Sequence, residues 1–157
     1  MRVRTVITIL GVLVIVLALA AVVASFLRPQ AANPAYTTAV DFVQAAGKGN
    51  DAKAVSLLDK NMLNYVVAHC PNQNVSECIK AYTPADWGSL VSAIFRRAAP
   101  NGSNWDVEVI ANYQQGEGAS GVCSLIHVAN ESGSWLVSGW SGFIHCGGDL
   151  TTQNKAP

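Results

Sequence analysis

The sequence predicts an α+β protein with an N-terminal transmembrane helix. Two or three further helices then pack on a curved antiparallel sheet of three strands, with a fourth strand as an alternative. Three observations predict this fold class. An apolar run opens the chain, apolar residues then recur at helical spacing, and after residue 103 the spacing changes to alternation. Helices that precede a series of strands are typical of an α+β domain.

Residues 5–27 are predicted to cross a membrane. This run has 23 residues and no charge, and a helix of that length spans about 35 Å, enough for a hydrocarbon core of about 30 Å. A cleavable signal peptide is the alternative, but its apolar stretch is usually only about 7–15 residues long. Arg2 and Arg4 precede the run and only Arg28 directly follows it. The positive-inside rule therefore predicts a single pass through the plasma (inner) membrane, with the N-terminus in the cytoplasm.

The charge of the remaining chain excludes one class of partner. After residue 28 there are seven basic and ten acidic residues, a formal charge of −3. A nucleic-acid-binding surface needs clustered basic residues, and so does a surface that attracts anionic lipids. We therefore expect no nucleic-acid partner, and contact with the lipid bilayer through residues 5–27.

The pattern divides the chain into five segments. They are a cytoplasmic tail at 1–4, the transmembrane helix at 5–27, a Pro-bracketed linker at 28–34, the extracytoplasmic α+β domain at 35–148 and a flexible tail at 149–157.

Helical spacing predicts three helices in the domain. The first starts near Tyr36 and stops at Gly47, and the second runs from Asp51 to about His69. Thr83 is a natural N-cap and begins the third, because Pro84 suits the first helical position. The apolar stripe of this third helix consists of Trp87, Leu90, Val91, Ile94 and Phe95.

Alternating residues predict the strands. They cover 105–113, 122–129 and 134–146, with a turn at 130–133 between the last two. This register puts Trp140 on one face with Leu136 and His127, opposite to Trp135. Three of the four tryptophans, among them Trp87 and Trp105, fall on amphipathic apolar faces, which favours the core. One face of the sheet must cover the helices, and a large apolar residue left on the other face would mark a contact surface.

Two motifs resemble the nuclear-transport-factor-two-like domains. One is Tyr36-x-x-x-Val40-x-Phe42-Val43-x-Ala45-x-x-x-Gly49-Asn50-Asp51, and the other is the hairpin Glu131-Ser132-Gly133-Ser134-Trp135-Leu136-Val137-Ser138-Gly139-Trp140. The resemblance covers about residues 35–146 and implies a cone-shaped domain with a pocket at its wide end. Members of the family include isomerases, dehydratases and non-catalytic modules. Anchored members include assembly subunits of bacterial secretion machines and accessory proteins of lipid transporters.

The four cysteines all follow the apolar run, so disulfides are expected, and three connectivities are open. Cys70 and Cys78 flank a loop that can return on itself, and their pairing is favoured. Residues 68–77 cannot then be one helix, because a bridge needs a Cα separation below about 7 Å.

A bridge between Cys123 and Cys146 requires a special geometry. The turn at 130–133 puts Cys123 opposite Trp140, six residues short of Cys146. Either the strand bends near Gly142, or Cys146 pairs with one of the other two cysteines. No Cys-x-x-Cys spacing is present, so neither a metal site nor a cofactor is predicted.

No residue is predicted to be catalytic, because the chain lacks a nucleophile elbow, a phosphate loop or a carboxylate pair at useful spacing. An isomerase or dehydratase would need an acid or base together with a Tyr or His donor in one pocket. The pocket candidates by residue type are Asp41, Tyr65, Tyr113 and His127. The sequons at Asn74, Asn101 and Asn130 match the N-glycosylation pattern in predicted loops.

The function that the sequence predicts is therefore a non-catalytic, membrane-anchored extracytoplasmic module. It binds a partner protein or a small ligand, as an accessory subunit of an envelope complex. The alternatives are a tethered isomerase- or dehydratase-like enzyme and a disulfide-stabilised structural domain without a ligand.

Overall fold

The computed structural model describes residues 33–150, and this part of the chain forms helices followed by a sheet. The helices are α1 (Pro34–Gly47), α2 (Asp51–Ser56), α3 (Lys60–His69) and α4 (Val75–Tyr82). The strands are β1 (Leu90–Asn101), β2 (Asn104–Tyr113), β3 (Val122–Glu131) and β4 (Ser134–Ile144). Short 3₁₀ turns lie at Pro71–Gln73, Ala85–Trp87 and Glu117–Ser120.

The predicted fold class is corrected in its number of elements. The described domain is α+β, but it has four α-helices rather than two or three, and its sheet has the four strands of the alternative rather than the three that were favoured. Within residues 33–150, no helix is long and apolar enough to cross a membrane. The predicted transmembrane helix at 5–27 lies outside the described residues.

Each α-helix begins directly after an Asn or Asp side chain that accepts a hydrogen bond from its first turn. Such N-caps satisfy backbone N–H groups that have no partner within the helix. In the four caps, Asn33 accepts from the N–H of Ala35, Asn50 from the N–H of Lys53, Asp59 from the N–H of Met62 and Asn74 from the N–H of Glu77.

The strands form one antiparallel meander in the order β1-β2-β3-β4. Two-residue loops join its outer hairpins. Gly102 has a φ of 62°, and Ser132 and Gly133 have φ values of 52° and 89°. Two-residue hairpins favour these positive φ angles because the resulting turn matches the twist of the strands.

The core lies between α1 and one face of the sheet. Phe42 of α1 is fully buried, and its ring packs 5.3 Å from that of Trp140. Val109 and Val128 meet the helix from the sheet. Trp87 belongs to this core, and the other three tryptophans pack against it, including both Trp135 and Trp140, which the predicted register had put on opposite faces.

The two edges of the sheet differ. The edge at β4 is covered by the α2–α3 connection, because Leu58 forms a parallel bridge with Val137. The Val137 N–H donates to the Leu57 carbonyl at 2.8 Å, and the Asp59 N–H donates to the Val137 carbonyl at 2.9 Å. β1 forms the opposite edge.

The third predicted helix is wrong. The segment after Thr83 makes only the 3₁₀ turn Ala85–Trp87, Gly88 follows with a φ of 71°, and β1 begins at Leu90. Two register shifts interrupt β1, so its apolar side chains are spaced like a helical stripe. β-branched and aromatic residues favour strands, and pairing with β2 decides the outcome.

The second predicted helix is two helices. Leu57, Leu58 and Asp59 interrupt it where they pair with β4, so α2 ends at Ser56 and α3 begins at Lys60. α4 was not predicted. The signal was present in the sequence, because Val75, Cys78, Ile79 and Tyr82 stand at i, i+3, i+4 and i+7 and Asn74 is a natural N-cap. The segment has only eight residues and directly follows the break at 70–74.

The predicted register of the last hairpin is also corrected. Cys123 lies opposite Ile144 rather than Trp140, because the loop is at 132–133 and two register shifts follow along β3 and β4. The same shifts bring Trp140 to the helix-facing side of the sheet, together with Trp135.

Both disulfides follow from this geometry. The predicted Cys70–Cys78 bridge is present with a Cα separation of 5.0 Å, because α3 ends at His69, directly before Cys70, and α4 begins only at Val75. Cys146 lies only two residues beyond Ile144, so it reaches Cys123 at a Cα separation of 5.2 Å.

Candidate functional site

The space between the helices and the sheet is filled by side chains. The cavity that remains there measures about 10 Å³, room for about one water molecule. The rings of Tyr82, Trp87 and Tyr113 pack against Phe143 at centroid distances of 5.4, 5.1 and 6.0 Å. A small-molecule substrate does not fit into this interior.

A larger groove of about 260 Å³ lies beside α4. It is lined by the end of α1, by α4, by the start of β1 and by Tyr113. Glu77 and Lys80 form an ion pair of 3.7 Å within this lining. Burial raises the pKa of the Tyr113 phenol, and a hydrogen bond with Thr83 offsets part of that rise. The groove therefore offers a protonated phenol and one ion pair to a small polar ligand.

The structure places two of the predicted pocket residues on the helical side. Asp41 lies half-exposed on α1 and pairs with Lys53 at 3.9 Å. Tyr65 is exposed on α3, and its ring packs 4.6 Å from that of His69. Neither residue lines the internal cavity or the groove.

The other two candidates lie on different faces of the sheet. Tyr113 lines both the internal cavity and the groove. His127 lies on the outer face, the side of the sheet away from the helices, where its Nδ1 lies 2.6 Å from Asp106 Oδ1. The four predicted candidates are therefore distributed over four separate environments.

The Asp106–His127 pair is oriented but faces no cavity described above. Asp106 is buried and also accepts a hydrogen bond from Asn101 Nδ2 at 3.2 Å. A carboxylate that fixes a partly exposed imidazole is one half of a general-base arrangement. The pair lies opposite in register on β2 and β3, so it also cross-links the two strands.

Glu108 is a fully buried carboxylate at the centre of the outer face. Its Oε2 accepts hydrogen bonds from Arg96 Nη1 at 2.6 Å and from Arg97 Nε, and its Oε1 accepts the Gly147 N–H at 3.2 Å. Burial by itself raises the pKa of Glu108, but these hydrogen bonds outweigh it and hold the pKa below its ordinary value. Glu108 therefore stays ionised.

The segment after β4 covers this charged cluster. Arg97 Nη2 donates to the Gly148 carbonyl, Leu150 is buried, and the Cys123–Cys146 bridge attaches the segment to β3. A carboxylate oxygen of Glu108 and the two sulfurs lie within 4.8 Å of one another. Because both sulfurs belong to the disulfide, they are not available as thiolate ligands for a metal.

The three sequons use their asparagine side chains locally. Asn74 caps α4, Asn101 donates to Asp106, and Asn130 Oδ1 accepts the Gly133 N–H at 3.0 Å. Asn74 lies between helices as predicted, but the loop position is wrong for the other two, because Asn101 is the last residue of β1 and Asn130 lies near the end of β3.

The most distinctive surface lies at the β1 edge. Val91, Ile94 and Phe95 are 53, 49 and 43% exposed, and Arg96, whose side chain is 33% exposed, directly follows them. We call these four residues the β1 patch. The Phe95 ring stacks on that of Tyr36 at 4.7 Å, so it is held in place from α1. The register places Ile94 opposite Ile110 on the outer face and Phe95 opposite Val109 on the helix-facing side, so the β1 patch extends over both sides of the sheet edge. Exposed apolar side chains on an edge strand are typical of a protein-binding surface.

Sequence reasoning missed both the β1 patch and the Glu108 cluster. The patch residues were assigned to the buried stripe of a helix. The signal for the cluster was Glu108 between Val107 and Val109, since a charged residue within a buried strand needs a partner. The adjacent arginines on the preceding strand are the natural partners.

Comparison of this chain with family models, with curated proteins and with solved structures found no match. The resemblance to nuclear-transport-factor-two-like domains therefore stays a prediction.

Proposed function

We propose that this protein is a non-catalytic module that binds a partner protein, acting as an accessory subunit of an envelope complex. The single observation that carries the proposal is the β1 patch, whose apolar residues are about half exposed on an edge strand. Such residues lose favourable burial free energy in a free monomer and regain it in an interface.

The extracytoplasmic location is part of this proposal and rests on the sequence. The uncharged run at 5–27 supports attachment to a membrane, with the domain outside. Two disulfides that leave no free cysteine in residues 33–150 support an oxidising compartment.

The experiment is native mass spectrometry of the full-length chain, extracted in mild detergent from its own cells. We expect an assembly that contains at least one other protein chain and that dissociates when Ile94 is replaced by serine. The matched control is Leu63→Ser on α3, which removes a comparably exposed apolar side chain away from the β1 patch. A bare monomer would contradict the proposal.

Binding of a small ligand is a second candidate function. The groove beside α4 supports it, because its volume of about 260 Å³ and its mixed polar and apolar lining suit a small polar molecule. The same spectra would then show a monomer with a bound small mass, and Leu90→Trp, which fills the groove, would remove that mass. Retention of the mass in this variant would exclude the groove.

A further inference from the structure

We infer that residues 145–150 form a redox-controlled strap, which closes over the outer face while Cys123 and Cys146 are bridged and opens when a dithiol reduces that bridge. The strap is the segment that follows β4. The inference goes beyond the proposed function, because it concerns a conformational change of this chain and requires no particular partner.

The strap crosses the other three strands on the outer face. Its contacts with β3, β2 and β1 are the Cys146–Cys123 bridge, the hydrogen bond of 3.2 Å from the Gly147 N–H to Glu108 Oε1 and the hydrogen bond from Arg97 Nη2 to the Gly148 carbonyl. Leu150, at the end of the strap, is buried. The bridge is therefore the covalent anchor of a segment that otherwise sits on the sheet through noncovalent contacts.

The strap explains why part of the outer face is buried. Glu108 lies opposite Leu125 in register and Ile110 opposite Cys123, so these four side chains share the side of the sheet away from the helices. Glu108, Leu125 and Cys123 are fully buried, whereas Ile94, opposite Ile110 on the same side, is 49% exposed. The three buried residues are those that the strap contacts and the residue between them. Opening of the strap should therefore expose an apolar and charged surface around Leu125 and Glu108.

The two bridges of the domain differ in how firmly their cysteines are held. Cys70 caps the end of α3 and Cys78 lies within α4, so packed helices hold both sulfurs. Cys146 instead lies two residues beyond the end of β4 and is followed by two glycines, of which Gly147 has a φ of 96°. Glycine gives the backbone the most conformational freedom, so this segment can leave the sheet once it is released.

This difference decides which bridge a dithiol opens first. A thiol on a segment that can move away has a low effective concentration at its partner, so its bridge re-forms less readily than one between two held thiols. We therefore expect the Cys123–Cys146 bridge to be reduced before the Cys70–Cys78 bridge.

The exposure of the two sulfur-bearing residues sets the course of the reduction. Cys123 is fully buried and Cys146 is partly exposed, so a thiolate of the dithiol attacks Cys146 Sγ. A mixed disulfide forms on Cys146, and Cys123 leaves as a thiolate and takes up a proton. The second thiol of the reductant then displaces Cys146 and closes its own disulfide. Two electrons pass from the dithiol to the bridge, which becomes two thiols.

The Glu108 cluster opposes this opening. Glu108 and Arg97 bind the backbone of the strap, and Arg96 Nη2 lies 3.4 Å from the position that a Cβ on Gly147 would take. These contacts keep Cys146 near Cys123 in the reduced protein and so favour re-formation of the bridge. Because such coupling is reciprocal, loss of a strap contact should make the bridge easier to reduce.

The test is a redox titration of the full-length chain in mild detergent, with mixtures of reduced and oxidised dithiothreitol. Alkylation of free thiols and peptide mass spectrometry then report each bridge separately. We expect the Cys123–Cys146 bridge to be reduced at a severalfold lower ratio of reduced to oxidised dithiothreitol than the Cys70–Cys78 bridge. At that ratio, hydrogen exchange should show lost protection at residues 145–150, while the amides of β2 and β3 stay protected.

A variant tests the coupling between the cluster and the bridge. Arg97→Gln should lower the ratio at which the Cys123–Cys146 bridge is reduced by about tenfold, which is the effect of losing one charge-assisted hydrogen bond. The matched control is Lys53→Gln, which removes a basic side chain that pairs with Asp41 on the helical side and should leave the ratio unchanged. Urea denaturation of each variant shows whether the domain is still folded.

Several results would overturn the inference. One is reduction of the Cys70–Cys78 bridge first or at the same ratio, which needs no variant. Another is a strap that stays protected after its bridge is reduced, or amides of β2 and β3 that lose protection together with it, since the bridge would then be purely structural. An unchanged ratio in folded Arg97→Gln would remove the coupling to the Glu108 cluster.

Discussion

Replacing Glu108 by glutamine should destabilise the domain strongly, because this buried carboxylate is the centre of the outer-face cluster. Its Oε2 accepts hydrogen bonds from two arginines, and its Oε1 accepts a hydrogen bond from the Gly147 N–H. A glutamine has one acceptor oxygen, so its amide nitrogen must face either the guanidinium groups or the backbone donor.

The magnitude follows from these contacts. A hydrogen bond to a charged group is worth about 1.5–3 kcal/mol, and breaking a buried ion pair costs about 3–5 kcal/mol. Arg96 and Arg97 keep about a third of their side chains exposed, so part of their charge remains hydrated after the change. We therefore expect Glu108→Gln to lower the free energy of unfolding by about 3 kcal/mol at pH 7.

The stabilisation that Glu108 provides should depend on pH. The pKa of Glu108 in the folded protein lies below its ordinary value, so its stabilisation is complete above the unfolded pKa of about 4.3. That stabilisation is lost as the pH falls through the folded pKa. The difference in stability between wild type and Glu108→Gln should therefore shrink between pH 7 and pH 3.

The assay is urea denaturation of the full-length chain in mild detergent, followed by tryptophan fluorescence with the disulfides intact. Glu117→Gln is the matched control, because Glu117 is an exposed acid in a 3₁₀ turn and its loss should change stability by less than about 0.5 kcal/mol. The reasoning is refuted if Glu108→Gln costs less than about 1 kcal/mol at pH 7, or if the difference stays constant down to pH 3.

Two further predictions concern the packing of the same domain. Replacing Cys123 and Cys146 by serine opens a loop with a sequence separation of 23 and should lower the unfolding free energy by about 3.5 kcal/mol; a loss below about 1 kcal/mol in urea would contradict this. Gly118→Ala places a Cβ 2.8 Å from ring carbons of Trp87 and should cost about 1–3 kcal/mol. Gly142→Ala meets open space, and equal thermal shifts in the two glycine variants would refute the steric argument.

Local signals predicted those parts of the fold that depend on near neighbours in sequence. The first helix was predicted because its apolar residues recur at helical spacing and the stretch 47–50 contains two glycines, and in the structure it does end at Gly47. The Cys70–Cys78 bridge was favoured because the loop between the two cysteines can return on itself, and the structure has α3 ending at His69 and α4 beginning at Val75.

Long-range pairing determined what the sequence could not predict. A register shift in a strand leaves no mark on composition, yet the shifts in β3 and β4 moved the partner of Cys123 from Trp140 to Ile144. The Glu108 cluster likewise joins three segments that only the sheet brings together. Of the four predicted pocket residues, only Tyr113 lines a cavity or groove. The side chains of the other three contact neighbouring residues elsewhere on the domain.

The apolar residues that led to the wrong helix prediction at β1 are the same residues that support the proposed function. A helix from residue 83 was predicted because every apolar residue of the stripe was assigned to the core, and only a helix could bury all of them. In the structure Leu90 is buried, whereas Val91, Ile94 and Phe95 are about half exposed. The register places Ile94 opposite Ile110 on the outer face and Phe95 opposite Val109 on the helix-facing side, so apolar side chains stay exposed on both sides of the β1 edge. Their apolar character is better explained by an interface than by the stability of the monomer alone.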